Sequence, residues 1–99
     1  MNVPELFNVG NEFYNKGRIE TAMDIWESVI GRDPNFGPVY LQQHNVFRSQ
    51  GNLVRAREAL IRFLNCPVTG MTVDAIPTIK IQLQELDKQI NPQVQPIPK

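Results

Sequence analysis

The chain has 99 residues, 41% of them hydrophobic and 20% charged, with ten lysines and arginines balanced by ten aspartates and glutamates. That length makes one domain, and the composition belongs to a folded globular chain rather than a disordered one. A net charge of zero argues against electrostatically driven binding to nucleic acid or to an anionic membrane, because either needs a basic surplus on some face.

Pro4 opens the first predicted helix, since proline at the first helical position is pre-set in φ and gives up an N–H that has no partner there. Leu6, Phe7, Val9 and Phe13 keep helical spacing until Gly17, which takes the left-handed conformation of a C-terminal turn. The second helix starts near Ile19 and carries Ile19, Ala22, Met23, Trp26, Val29 and Ile30 on one side, as far as Gly31 and the turn Asp33-Pro34-Asn35. Pro38 opens the third, which holds Tyr40, Leu41 and Phe47 and stops at Gly51. Asn52 is an N-cap for the fourth, whose apolar side is Leu53, Ala56, Leu60, Phe63 and Leu64 and whose end is Cys66-Pro67. From Thr72 to Ile90 a fifth helix sets Val73, Ile76, Ile79, Leu83, Leu86 and Ile90 at intervals of three or four, with Lys80, Gln82, Gln84, Glu85, Asp87 and Lys88 filling much of the remainder. Pro77 falls in its first turn or marks its true start. The tail NPQVQPIPK, residues 91–99, holds three prolines and is expected to be extended.

The chain repeats itself. Gly17 returns as Gly51, Ile19 as Leu53, Ala22 as Ala56, Trp26 as Leu60 and Val29 as Phe63, all 34 residues on, and Pro4 and Pro38 share the same offset. Helix hairpins recurring at that period stack into a superhelix. Small Ala22, Ala56 and Gly10 let paired helices approach to roughly 8 to 10 Å, and bulky Trp26, Leu60 and Phe63 fill the space between them. Residues 3–36 read Leu6-x2-Val9-Gly10-x2-Phe13, Ala22-x3-Trp26 and Pro34, and residues 37–70 supply Tyr40, Phe47, Ala56, Leu60, Phe63 and a proline one place early at Pro67. This pattern resembles the tetratricopeptide repeat. The second copy departs from it at Gln43 and His44, where leucine and glycine are expected. The resemblance implies an all-α domain over residues 1–90, with repeat one at 3–36, repeat two at 37–70 and a solvating, capping helix at 72–90: antiparallel hairpins stacked as a short solenoid of about five helices.

Catalytic chemistry finds little support in the residues. His44 and Cys66 are the only histidine and the only cysteine, so a Cys–His dyad or a metal site would need both. Antiparallel helices turning near Gly51 set residue 44 opposite about residue 58, which leaves Cys66 roughly 12 Å away along the axis. Cys66 reads as an inert thiol, and its solitude excludes an internal disulfide framework and fits a reducing compartment. His44 reads as a partly buried packing residue, with a groove contact as the alternative. Paired carboxylates such as Glu20 and Asp24 lie on a helix flank as solvated charge, and the glycines form no phosphate-cradling motif. No cofactor, no metal and no enzymatic activity are expected. The N-terminal MNVPELFNVG has neither the basic region nor the apolar core of a secretory signal, and no apolar run reaches the roughly 20 residues that span a bilayer. A cytoplasmic chain without membrane insertion is therefore expected.

The resemblance also implies where a partner binds. In tetratricopeptide arrays the first helix of each pair lines a concave groove, and ligands are met chiefly at five positions of each repeat. In this chain these fall on Pro4, Phe7, Asn11, Tyr14 and Asn15, then on Pro38, Leu41, Asn45, Arg48 and Ser49, with Asn8 and Gln42 beside them. Such a groove offers amides, which satisfy backbone N–H and C=O groups alike, on an aromatic and aliphatic floor. The basic clamp with which the family holds chaperone C-termini needs a lysine where Phe7 stands, so those tails are disfavoured. The implied function is a non-enzymatic protein-interaction module for a protein or peptide segment. The alternative is a structural subunit that self-associates, or is built into a larger assembly, through its ends and tail. Charge is unevenly placed: residues 1–36 carry Glu5, Glu12, Glu20, Asp24, Glu27 and Asp33 against Lys16, Arg18 and Arg32, while residues 37–70 carry Arg48, Arg55, Arg57 and Arg62 against Glu58. This dipole serves either an internal attraction between the hairpins or head-to-tail contact between copies.

Overall fold

The computed structural model describes residues 1–91, so all but the first residue of the expected extended tail lies outside the described residues. Five α-helices follow one another: α1 (Val3–Asn15), α2 (Ile19–Arg32), α3 (Pro38–Ser49), α4 (Leu53–Leu64) and α5 (Ile76–Ile90), with a short 3-10 turn at Val73–Ala75. The described residues are all-α, as their periodicity predicts. α1 packs on α2 and α3 on α4, α2 and α3 join the two hairpins, and α5 lies against α4.

Local chemistry explains most boundaries. Asn2 caps α1, its side chain accepting from the Glu5 N–H at 2.9 Å while the Glu5 carboxylate accepts from the Asn2 N–H at 3.1 Å, so two otherwise orphaned donors are satisfied reciprocally. Pro4 thus sits one residue inside the helix start. Both hairpins turn alike. Gly17 and Gly51 adopt φ of 80° and 76°, a region glycine enters without steric cost, and the next residue's N–H returns to the Phe13 carbonyl in one hairpin and the Phe47 carbonyl in the other, at 2.9 and 2.8 Å. Asn52 caps α4 as expected, accepting from the Arg55 N–H at 3.2 Å; Arg18, at the same place before α2, supplies no side-chain cap.

Two helix ends agree with the sequence reading and one helix start differs from it. α2 runs through Gly31 to Arg32 and breaks at the expected turn, where the Asp33 carboxylate accepts from the Asn35 N–H at 3.0 Å. α4 stops at Leu64, the last apolar residue assigned to it, just ahead of Cys66-Pro67. The last helix begins at Ile76 rather than near Thr72, because Thr69 and Thr72 hold a hydrogen-bonded loop in front of it, with the Thr69 N–H donating to Thr72 Oγ1 at 3.0 Å. Val73 consequently falls outside the apolar face assigned to it and is 47% exposed, while Thr72 is buried.

One core runs through the chain. Ala22, Trp26, Val29 and Ile30 of α2, Val39, Tyr40 and Val46 of α3, and Ala56, Leu60 and Phe63 of α4 form it, and Ile79 and Leu86 of α5 extend it. Burying such side chains stabilises by about 1.5–3 kcal/mol each. Gly10 shows why the first hairpin closes: a Cβ there would stand 2.4 Å from Trp26 Nε1, so the indole occupies the place of the missing side chain. Among the described residues no helix is long and apolar enough to cross a membrane.

Candidate functional site

The first helices of the two hairpins, α1 and α3, are tied by an amide bridge: Gln42 Nε2 donates to Asn11 Oδ1 at 2.9 Å. Asn45, one turn further along α3, reaches Gln42 Oε1 with its own amide at 3.4 Å. Three of the candidate partner-binding residues therefore form a ladder of amides across two helices. Asn11 and Gln42 are half-buried and Asn45 is exposed. The pairing fixes the orientation of each amide and leaves capacity unspent, since Asn11 keeps its N–H donors and Asn45 its carbonyl oxygen.

The apolar members divide. Phe7 turns its ring edge toward Phe36, with centroids 5.2 Å apart, and Tyr14 tilts over Trp26 at 5.7 Å; both remain half-buried, as does Leu41. Asn8 and Asn15 are exposed and Arg48 is half-buried. The sequence placed these residues on one face but did not reveal that Asn11 and Gln42 satisfy each other. The only available signal was that both are amides near the helix pair's line of contact.

Gln43 and His44, the departures in the second hairpin, are almost fully buried. Gln43 Nε2 donates to the Glu27 carboxylate on α2 at 2.9 Å. His44 lies 3.1 Å through Nδ1 from the Ala56 carbonyl on α4, two residues short of the level expected from helix geometry. A carbonyl oxygen only accepts, so the neutral ring carries its proton on Nδ1. Burial holds the His44 pKa below its ordinary value; the Ala56 bond opposes that shift and Arg48 adds to it. The Cys66 thiol is pushed up by burial and by Asp33, which lowers its thiolate fraction and hence its reactivity, and its Sγ–H reaches the Arg62 carbonyl at 3.3 Å. Each group thus has a backbone partner of its own. Among the described residues no cluster of three or more His, Cys, Asp or Glu is placed to hold a metal ion.

Charge meets charge between the hairpins. Glu27 of α2 shares a polar cleft with Arg55, Glu58 and Arg62 of α4. The Arg62 guanidinium also sits 4.7 Å from the centre of the Tyr40 ring, whose hydroxyl donates to the Pro34 carbonyl at 2.6 Å. Arg57 pairs with Asp87 of α5, so one of the bases expected to be free for contact between copies is engaged within the chain. The chain matches no protein-family profile, no curated protein and no solved structure.

Proposed function

We propose that the chain is a tetratricopeptide-like interaction module that binds an extended peptide segment along the face formed by α1 and α3, without catalysis of its own. The observation that carries this reading is the amide ladder Asn11–Gln42–Asn45. An extended peptide presents N–H and C=O groups in alternation, and a row of amides held in fixed orientation answers both. Holding them beforehand reduces the ordering cost of binding. Phe7, Tyr14 and Leu41, half-buried beside the ladder, supply apolar contacts for every second side chain of the ligand.

The test is a random peptide library displayed on phage and selected on the whole chain. Replacing Asn11 and Asn45 together by alanine is expected to weaken the selected peptides by about 1–3 kcal/mol, with the thermal midpoint lowered by about 4–8 °C, the cost of losing the Asn11–Gln42 bond. Selected peptides that bind the double variant unchanged, or a library that yields no binder, would remove the α1–α3 face from consideration.

A further inference from the structure

The bonds that hold the amide ladder use up oxygens and spare N–H groups. Asn11 Oδ1 and Gln42 Oε1 each already accept from a neighbouring amide. Among the described residues Asn11 therefore keeps both its N–H donors, Gln42 and Asn45 keep one each, and the one ladder oxygen without a donor is Asn45 Oδ1. The Asn11 donors are open to solvent, since the one side-chain nitrogen or oxygen that is both buried and unpartnered among the described residues is Trp26 Nε1. The ladder thus offers mainly donors to whatever lies on it.

Aromatic rings flank these donors. Phe7, Asn11 and Tyr14 follow at intervals of four and three and share one side of α1, and both rings are half-buried. Phe36 and Trp26 hold them in place, at centroid distances of 5.2 and 5.7 Å. Seven residues at 1.5 Å each set Phe7 and Tyr14 about 10.5 Å apart along the helix axis. A polyproline II helix repeats every third residue, at about 9.3 Å, whereas a strand presents the same side at about 6.6 and 13 Å. Arg48 is the one charged residue among the candidate partner-binding residues, so the face does not select a highly charged ligand.

We infer that the segment bound along α1 and α3 is proline-rich and takes the polyproline II conformation. The inference rests on the reading of that face as a peptide site and narrows its ligand. A proline-rich segment lacks many of its N–H groups, and in this conformation it forms no internal hydrogen bonds, so its carbonyls are free. That chemistry complements a ladder rich in donors and poor in acceptors. A strand ligand brings N–H groups and carbonyls in equal number and would set N–H groups against donors. Two prolines three residues apart rest on Phe7 and Tyr14, as proline-rich segments do in aromatic-lined grooves, and a carbonyl between them accepts from Asn11. Apolar contacts then recur at every third ligand residue instead of every second. Such a segment is already extended before it binds, which lowers the ordering cost.

The probe is a fluorescent oligoproline of about nine residues, titrated by anisotropy against the whole chain. It should bind with a dissociation constant below about 1 mM, and a glycine–serine peptide of equal length should not bind. Asn11→Asp keeps an acceptor for Gln42 but removes both free donors, so it should weaken oligoproline binding at least about tenfold. Asn45→Asp loses one free donor at an exposed position and should weaken it about threefold; if Asn11→Asp unfolds the chain, this variant carries the test. The phage selection separates the inference from the reading beneath it. Selected peptides that need Asn11 and Asn45 yet carry no prolines at third-residue spacing would keep the face as a peptide site and overturn the polyproline assignment. Oligoproline that fails to bind at about 1 mM, or that binds both aspartate variants unchanged, would overturn it as well.

Discussion

The two hairpins share a turn, a period and a set of helix ends, yet they fill the same space differently. In the first, Gly10 faces Trp26, whose indole lies where a side chain on residue 10 would be. In the second, the equivalent pair is His44 and Leu60, both buried, with the imidazole anchored on the Ala56 carbonyl. Volume has moved from the second helix of the pair to the first. Because interiors pack to near crystal density, what is conserved between the hairpins is a sum of sizes rather than a residue at a position. The exchange has a polar cost on each side. Trp26 Nε1 is buried without a hydrogen-bond partner among the described residues, whereas the His44 ring nitrogen has one but cannot charge without losing stability.

The strongest way to break this comparison is at its largest contact. Replacing Trp26 by alanine should cost about 3–5 kcal/mol in urea denaturation. Gly10→Ala should cost about 1–3 kcal/mol, since its methyl group meets the indole. Joining Gly10→Ala to Trp26→Leu, which imitates the second hairpin, should cost clearly less than the sum of the two single changes. Strict additivity would mean that residues 10 and 26 do not share one volume.

His44 sharpens the contrast through pH. Its folded-state pKa lies below the unfolded value near 6.5, so the unfolded chain binds the proton more readily. The stability tied to the neutral ring is therefore complete above about pH 6.5 and is lost as pH falls through the folded-state value. Thermal midpoints should drop between neutral and mildly acidic pH, and His44→Gln, which can still donate to the Ala56 carbonyl, should flatten that part of the profile. An unchanged pH profile in the variant would assign the drop to other groups.

The smallest effect concerns the helix starts. Asn52→Ala should destabilise by about 1 kcal/mol, because Asn52 caps α4. Arg18 offers no such bond, so Arg18→Ala should change stability by only a few tenths of a kcal/mol and Arg18→Asn should raise it by about 0.5–1 kcal/mol. Equal losses at both positions, measured by chemical denaturation, would show that the two helix starts are not distinguished by capping.

Local chemistry was legible in the residues alone. The period of the apolar positions fixed five helices, Gly17 and Gly51 fixed two left-handed turns, and Asn52 announced its cap, because each depends on groups within a few residues of one another. The close fit around Gly10, Ala22 and Ala56 was legible too, since smallness at a helix interface has few other meanings. Where the reading failed locally, at Thr72, a short side-chain bond outweighed propensity: the threonine pair delayed α5 to Ile76.

Tertiary structure alone decided who meets whom. Gln43 and His44 looked like departures from a pattern until Glu27 and the Ala56 carbonyl were found beside them, partners that lie 16 and 12 residues away in the chain. The amide ladder is of the same kind: Asn11 and Gln42 are 31 residues apart, and only the packing angle between hairpins brings them within hydrogen-bonding distance. Arg57 and Asp87 carry charge in any reading, but whether that charge is free depends on where α5 lands. Propensity, capping and periodicity act over one or two turns and can be read from the order of residues. Hydrogen bonds and volumes shared between helices depend on how whole helices pack, which no single stretch of the chain encodes.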